Sequence, residues 1–138
     1  MANEGAPFVT SLRNTVPGAT IAATDSFSLG KAPVAGTVTA ITYTPDAAAT
    51  GDNTNARTFT VVNKGQSGVG TTVIGTLALT TGINLVAFDE KAFTLSVVTG
   101  ALTVAAGDVL AFVSTATGTG VVDPGGTVQI DISRTAGS

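Results

Sequence analysis

Chemistry in this chain would have to rest on carboxylates. Nine Asp and Glu stand against no His and no Cys, which removes the commonest general bases, thiol nucleophiles and soft metal ligands. Asp52-Asn53 with Asn55 offers clustered oxygen ligands of the kind Ca²⁺ takes. Yet Ca²⁺ needs about six to eight oxygens, and no acidic residue recurs at the spacing of a calcium loop. An Asx-rich turn, its side chains bonded to their own backbone, is the expectation there. Asp89-Glu90 is an adjacent pair, but neighbours on a strand point to opposite faces and cannot share a substrate as acid and base. A solvated turn before Lys91 suits it better. Asp108, in Gly107-Asp108-Val109-Leu110, opens an apolar run, where a carboxylate caps turn amides.

Two other motifs fail on context. Lys64 precedes Gly65, Gly68 and Gly70, whereas a phosphate loop places its Lys after the glycines and opens a helix. Ser67 lacks the nucleophile-elbow pattern, and the chain has no His to serve as a triad base. The expectation is a non-enzymatic protein with no catalytic residues, no cofactor and no metal.

The elements that would carry these residues read as strands. Thr occurs 25 times and Gly 17 times in 138 residues, and period-two alternation begins near residue 20. Ile21, Ala23, Phe27 and Leu29 share one face. Thr37 to Thr44 is strongly β-prone but alternates less cleanly. Phe59 and Val61 oppose Thr58 and Thr60, Val73, Leu77 and Leu79 oppose Thr72, Thr76 and Thr80, and Phe93, Leu95 and Val97 oppose Thr94 and Ser96. The run Val109 to Val113 is apolar on both faces, as an interior strand would be. Val128, Ile130 and Ile132 give the cleanest alternation, and 83–88 and 101–104 are weaker candidates. Gly- and Pro-rich turns separate the runs. Seven firm strands without a crossover helix predict an all-β fold, an antiparallel β-sandwich of jelly-roll or Ig-like order. Residues 1–17, with Pro7 and Pro17, predict an extended N-terminal arm preceding a single sandwich domain over 18–138. Loops 45–56, 64–70 and 116–126 exceed hairpin length, and long loops on a rigid sandwich are where function concentrates.

Charge narrows the partners. Charged residues are 11% of the chain, with a net charge of −3, against about a quarter in ordinary globular domains. Isolated Lys and Arg argue against nucleic acid, and no apolar run is long enough for a membrane-spanning helix. The first residues lack a signal-peptide pattern, so synthesis in a cytoplasm is expected. A surface of hydroxyls and methyls desolvates at little cost in side-chain entropy, which predicts burial against other protein chains. Phe8, Val9, Leu12 and Arg13 in the arm are the candidate contact residues.

The stretch TVTAITYTPDAAATGDNTNARTFTVVNKGQSGVGTTVIGTLAL, followed by FDEKAFTLS, AAGDVLAFVS, GTG and DPGGTVQIDISR, resembles the capsid decoration, or cement, proteins of tailed bacteriophages. The likeness covers about residues 34–134 and contains no catalytic motif. It implies a β-sandwich on the outside of an icosahedral virion capsid, made in the host cytoplasm. It further implies the major capsid protein as partner and a homo-oligomer, commonly a trimer at threefold positions. A receptor- or glycan-binding domain of a phage fibre or adhesin is the alternative, disfavoured by six Phe, one Tyr and no Trp. A Ca²⁺-dependent enzyme using Asp52 or Asp108 stands third.

Overall fold

Alternating β-branched and small residues make strands because each run can turn one face to a core and the other to water. In a computed structural model, which describes residues 7–135, they form β1 (Pro7–Val16), β2 (Asp25–Lys31), β3 (Gly36–Pro45), β4 (Ala56–Gly65) and β5 (Thr72–Leu79). After these come β6 (Lys91–Ala92), β7 (Thr94–Leu95), β8 (Thr103–Val104), β9 (Val109–Thr117) and β10 (Gly126–Thr135). There is no helix among the described residues.

The strands form two antiparallel sheets. One runs β1-β10-β3-β6, with β8 also on β3; the other runs β2-β9-β4-β5-β7. The pairing is nested: β1 with β10, β2 with β9, β3 with β6 and β8, β4 with β5. The chain is thus a long hairpin rolled on itself, with β4–β5 at its tip. Residues 91–95 pass from one sheet to the other, β6 pairing with β3 and β7 with β5.

Between the sheets lie Val38, Ile41 and Tyr43 of β3, Phe59 and Val61 of β4, Leu77 and Leu79 of β5, Leu110 and Phe112 of β9, and Val128, Ile130 and Ile132 of β10. Tyr43, Phe59 and Phe112 meet with ring centroids 5.0–5.6 Å apart, so aromatic packing ties both sheets together. β9 is interior, as its two apolar faces predict.

Several expectations need correction. Residues 7–16, expected to form part of an extended arm preceding the sandwich, pair with β10 of their own sheet at every position. Their apolar residues do not alternate, which hides the strand. Residues 1–6 lie outside the described residues. Residues 20–24 turn before β2 begins, leaving Ile21 exposed. In β5 a register shift makes Ile74 the extra residue, so Ile74 is buried and Val73 faces outward. Gly75 beside it sits close to the facing sheet: a Cβ there would lie 2.9 Å from Ile41 Cδ1, so the Ile41 side chain would have to shift. A second shift at Asp131/Ile132 changes the inward parity of β3 from Val38 to Ile41, which explains its imperfect alternation. Val97, expected on the face of Phe93, lies in the turn after β7, almost wholly in solvent.

Candidate functional site

One end of the sandwich gathers the segments 17–24, 46–55, 80–90 and 118–125, because β1, β3, β5 and β9 finish there and β2, β4 and β10 start there. Two of the three long loops read from the sequence, 45–56 and 116–126, belong to this end. The third, 64–70, lies at the opposite end, where Gln66 Nε2 donates to Ala106 O at 3.2 Å.

Arg57 organises this end from inside. It shares the inward face of β4 with Phe59 and Val61, and it is fully buried. Its Nε donates to Val121 O, one terminal nitrogen to Ser114 Oγ at 2.7 Å, and the other to Thr20 O at 3.0 Å and Ile21 O at 3.3 Å. One planar fork therefore clamps two loops and β9. Gly120 completes the fit at φ 78°, where a Cβ would lie 2.0 Å from Ile21 O.

Asp123 is the second internal tie. It is 2% exposed, and its Oδ1 accepts from Tyr43 Oη at 2.8 Å and Gly125 N at 3.0 Å. Its Oδ2 is buried without a hydrogen-bond partner. Asp123 and Ala19 also bond each other's backbones. Burial, reinforced by the charge and hydrogen bond of Asp123, pushes the Tyr43 phenol far above its ordinary value of 10.0. The folded chain keeps a proton that the unfolded chain releases above about pH 10, so this contribution is complete below that pH and lost as pH rises. We expect stability to fall above pH 10 by up to about 1.4 kcal/mol per pH unit on account of this group. Alkaline urea titrations should show that part of the slope missing in Tyr43→Phe; an identical slope would contradict it.

The carboxylates singled out in the sequence are engaged locally. Asp52 Oδ1 accepts from Thr54 N and Asn55 N at 2.7 and 2.8 Å, an Asx turn as expected, and the bond from Asn55 N, with that from Thr54 N, lowers its pKa. Asn53 exchanges bonds with Thr81, and Asn55 Oδ1 accepts from Thr119 N. Asp108 Oδ2 accepts from Ala105 N at 2.9 Å and Asn63 Nδ2 at 3.0 Å, which lower its pKa in that order. Asp89 and Glu90 are exposed beside a turn. Among the described residues no group of three or more acidic, His or Cys side chains could hold a metal ion.

The four candidate contact residues are split by the pleat of β1. Leu12 turns inward and packs on the core, and Phe8, on the same face, is partly exposed under Arg134, whose guanidinium carbon lies 5.6 Å from the ring centre. Val9 and Arg13 face outward. Arg13 Nε donates to Gln129 Oε1 at 3.1 Å, and Gln129 and Ser11 both donate to Asp131 Oδ1. The outer face of that sheet is therefore polar and internally bonded.

The outer face of the second sheet differs. Its cross-strand rows read Ser26, Val113, Thr60, Thr76, then Thr115, Thr58, Ala78, and Ser28, Ala111, Val62. None of these residues is charged. Charge is denser at the two ends: Asp46, Asp52, Asp89 and Glu90 are exposed at the Arg57 end, with half-buried Lys91 after Glu90, whereas Lys31, Lys64 and Arg134 lie at the other together with Asp108. Ile21, Val86, Phe88 and Val122 are also exposed at the acidic end.

Sequence reading missed Arg57 and Asp123. Arg57 carried a signal, since it stands two residues before Phe59 and four before Val61 on the buried parity. Asp123 in Asp-Pro-Gly-Gly carried none beyond a turn. No protein-family model matches this chain, nor does any curated protein or solved structure.

Proposed function

We propose that this protein is a non-enzymatic structural part of a tailed-phage virion. It binds the outside of the icosahedral capsid and reinforces it by bridging major capsid subunits. The observation that carries the reading is the outer face of the second sheet, uncharged over its central rows with Lys31 only at its far end, whose short side chains are ordered at little entropic cost when another chain covers them. We read the nested strand order as a jelly roll, and the neutral face as the contact between copies of a trimer. Repetition over the lattice multiplies modest contacts by avidity.

Purified protein mixed with undecorated, expanded shells is expected to attach at fixed stoichiometry and to raise the temperature at which the shells open. Absence of attachment to any shell would sink the reading. A glycan-binding role is favoured by one observation, an aromatic ring at Phe88 that is 77% exposed. Specific, Phe88-dependent signals on a glycan array would promote it.

A further inference from the structure

Phe88 has φ 62° and is the one non-glycine residue in the left-handed region among the described residues. A Cβ, and a bulky side chain above all, disfavours that conformation. The turn is held on both sides: Phe88 N donates to Pro45 O at 2.8 Å and Asp89 N to Val86 O at 3.1 Å. Leu85 before it is buried and exchanges backbone bonds with Ala49, while Phe93 N after it donates to Ile41 O. The fold thus spends rigidity on a strained residue and gains no burial from it, since the ring is 77% exposed and Val86 beside it 58%. Gly or Asn would close the same turn without strain. Aromatic residues, Phe included, are enriched in the cores of protein interfaces.

The surroundings define what would receive it. Asp89 and Glu90 follow directly, Asp46 follows Pro45, and all three carboxylates are exposed, against the single half-buried cation Lys91. Resting on the shell-binding reading above, we propose that Phe88 is the docking anchor and inserts into an apolar pocket of the major capsid protein whose rim carries Lys or Arg. The acidic end of the sandwich then faces the shell, and the neutral sheet face remains free for neighbouring copies.

Phe88→Asn and Phe88→Gly separate anchoring from folding, because both residues tolerate positive φ. The expected result is a thermal midpoint unchanged or raised by about 2–5 °C. Cosedimentation with undecorated shells should weaken at least about tenfold. An Asp89→Asn/Glu90→Gln double variant should bind with a shallower salt dependence. Wild-type protein that fails to bind shells overturns the shell reading and the anchor with it. Wild-type binding that Phe88→Asn leaves unchanged overturns the anchor alone. A clear fall in midpoint for Phe88→Gly makes Phe88 a folding residue and also overturns it. If Phe88→Asn alters sedimentation of the free protein but not shell binding, the occupant is a second copy of this chain, against the proposal.

Discussion

Arg57→Met lowers the stability of this protein by about 3–5 kcal/mol, equivalent to a thermal midpoint roughly 10 °C lower or more. Two terms oppose each other. A guanidinium taken out of water carries a desolvation cost, and its four bonds go to carbonyl and hydroxyl oxygens, not to a carboxylate. Removing the charge relieves that cost. Methionine fills a similar volume but donates nothing, so Val121 O, Thr20 O, Ile21 O and Ser114 Oγ all lose a partner at once. Ser114 Oγ is buried and the three carbonyls are part-buried; an orphaned buried acceptor costs about 1–3 kcal/mol and a part-buried one less, since water reaches it, and the sum still exceeds the relief. Arg57→Lys recovers only part, because three donors on one nitrogen cannot span loops on two sides. Urea unfolding checks the magnitude, and hydrogen exchange should show residues 118–124 opening first. A loss under about 1 kcal/mol would show that the clamp is dispensable.

Asp123→Ala is expected to cost about 2–4 kcal/mol, whereas Asp123→Asn costs under about half of that. Alanine leaves the Tyr43 hydroxyl and the Gly125 amide without the oxygen that serves both. Asparagine keeps a carbonyl oxygen for those two donors. It also removes a buried negative charge, though its amide nitrogen, in place of the oxygen that has no partner, is a buried donor without an acceptor, which accounts for the remaining loss. The order, wild type above Asn above Ala, follows from which oxygen is used. A double-mutant cycle with Tyr43→Phe should return a coupling of about 1 kcal/mol or more. Equal losses for Asn and Ala would place the contribution in the charge instead of in Oδ1.

These two residues mark where the sequence stopped being legible. β4 and β10 could be read because their apolar residues alternate over Arg57 to Val61 and Val128 to Ile132, and β9 because its run is apolar on both faces, as an interior strand requires. The inserted residue at Ile74 and the shift opposite Ala40 exchange the inward and outward parities, which no local pattern announces. β1 was hidden because Phe8 and Val9 are adjacent, and its strand character comes from β10, more than a hundred residues away in sequence. The carboxylates at 52 and 108 were legible because their partners are two or three residues distant. The partner of Asp123 is Tyr43, eighty residues away, and nothing in Asp-Pro-Gly-Gly points to it. Phe88 reads in sequence as the end of an apolar run; only its backbone angle and exposure set it apart.

A sheet face neutral at its centre, an acidic end stiffened by Arg57 and Asp123, and an aromatic tip suit a protein that, as proposed, sits on the outside of a capsid with that end toward the shell. A cryo-EM reconstruction of shells incubated with the purified protein tests this most directly. The expected map shows sandwich density at fixed lattice positions on the outer surface, with segments 17–24, 80–90 and 118–125 against the shell. A bare outer surface, or sandwiches seated by the opposite end through 65–71 and 96–101, would contradict it.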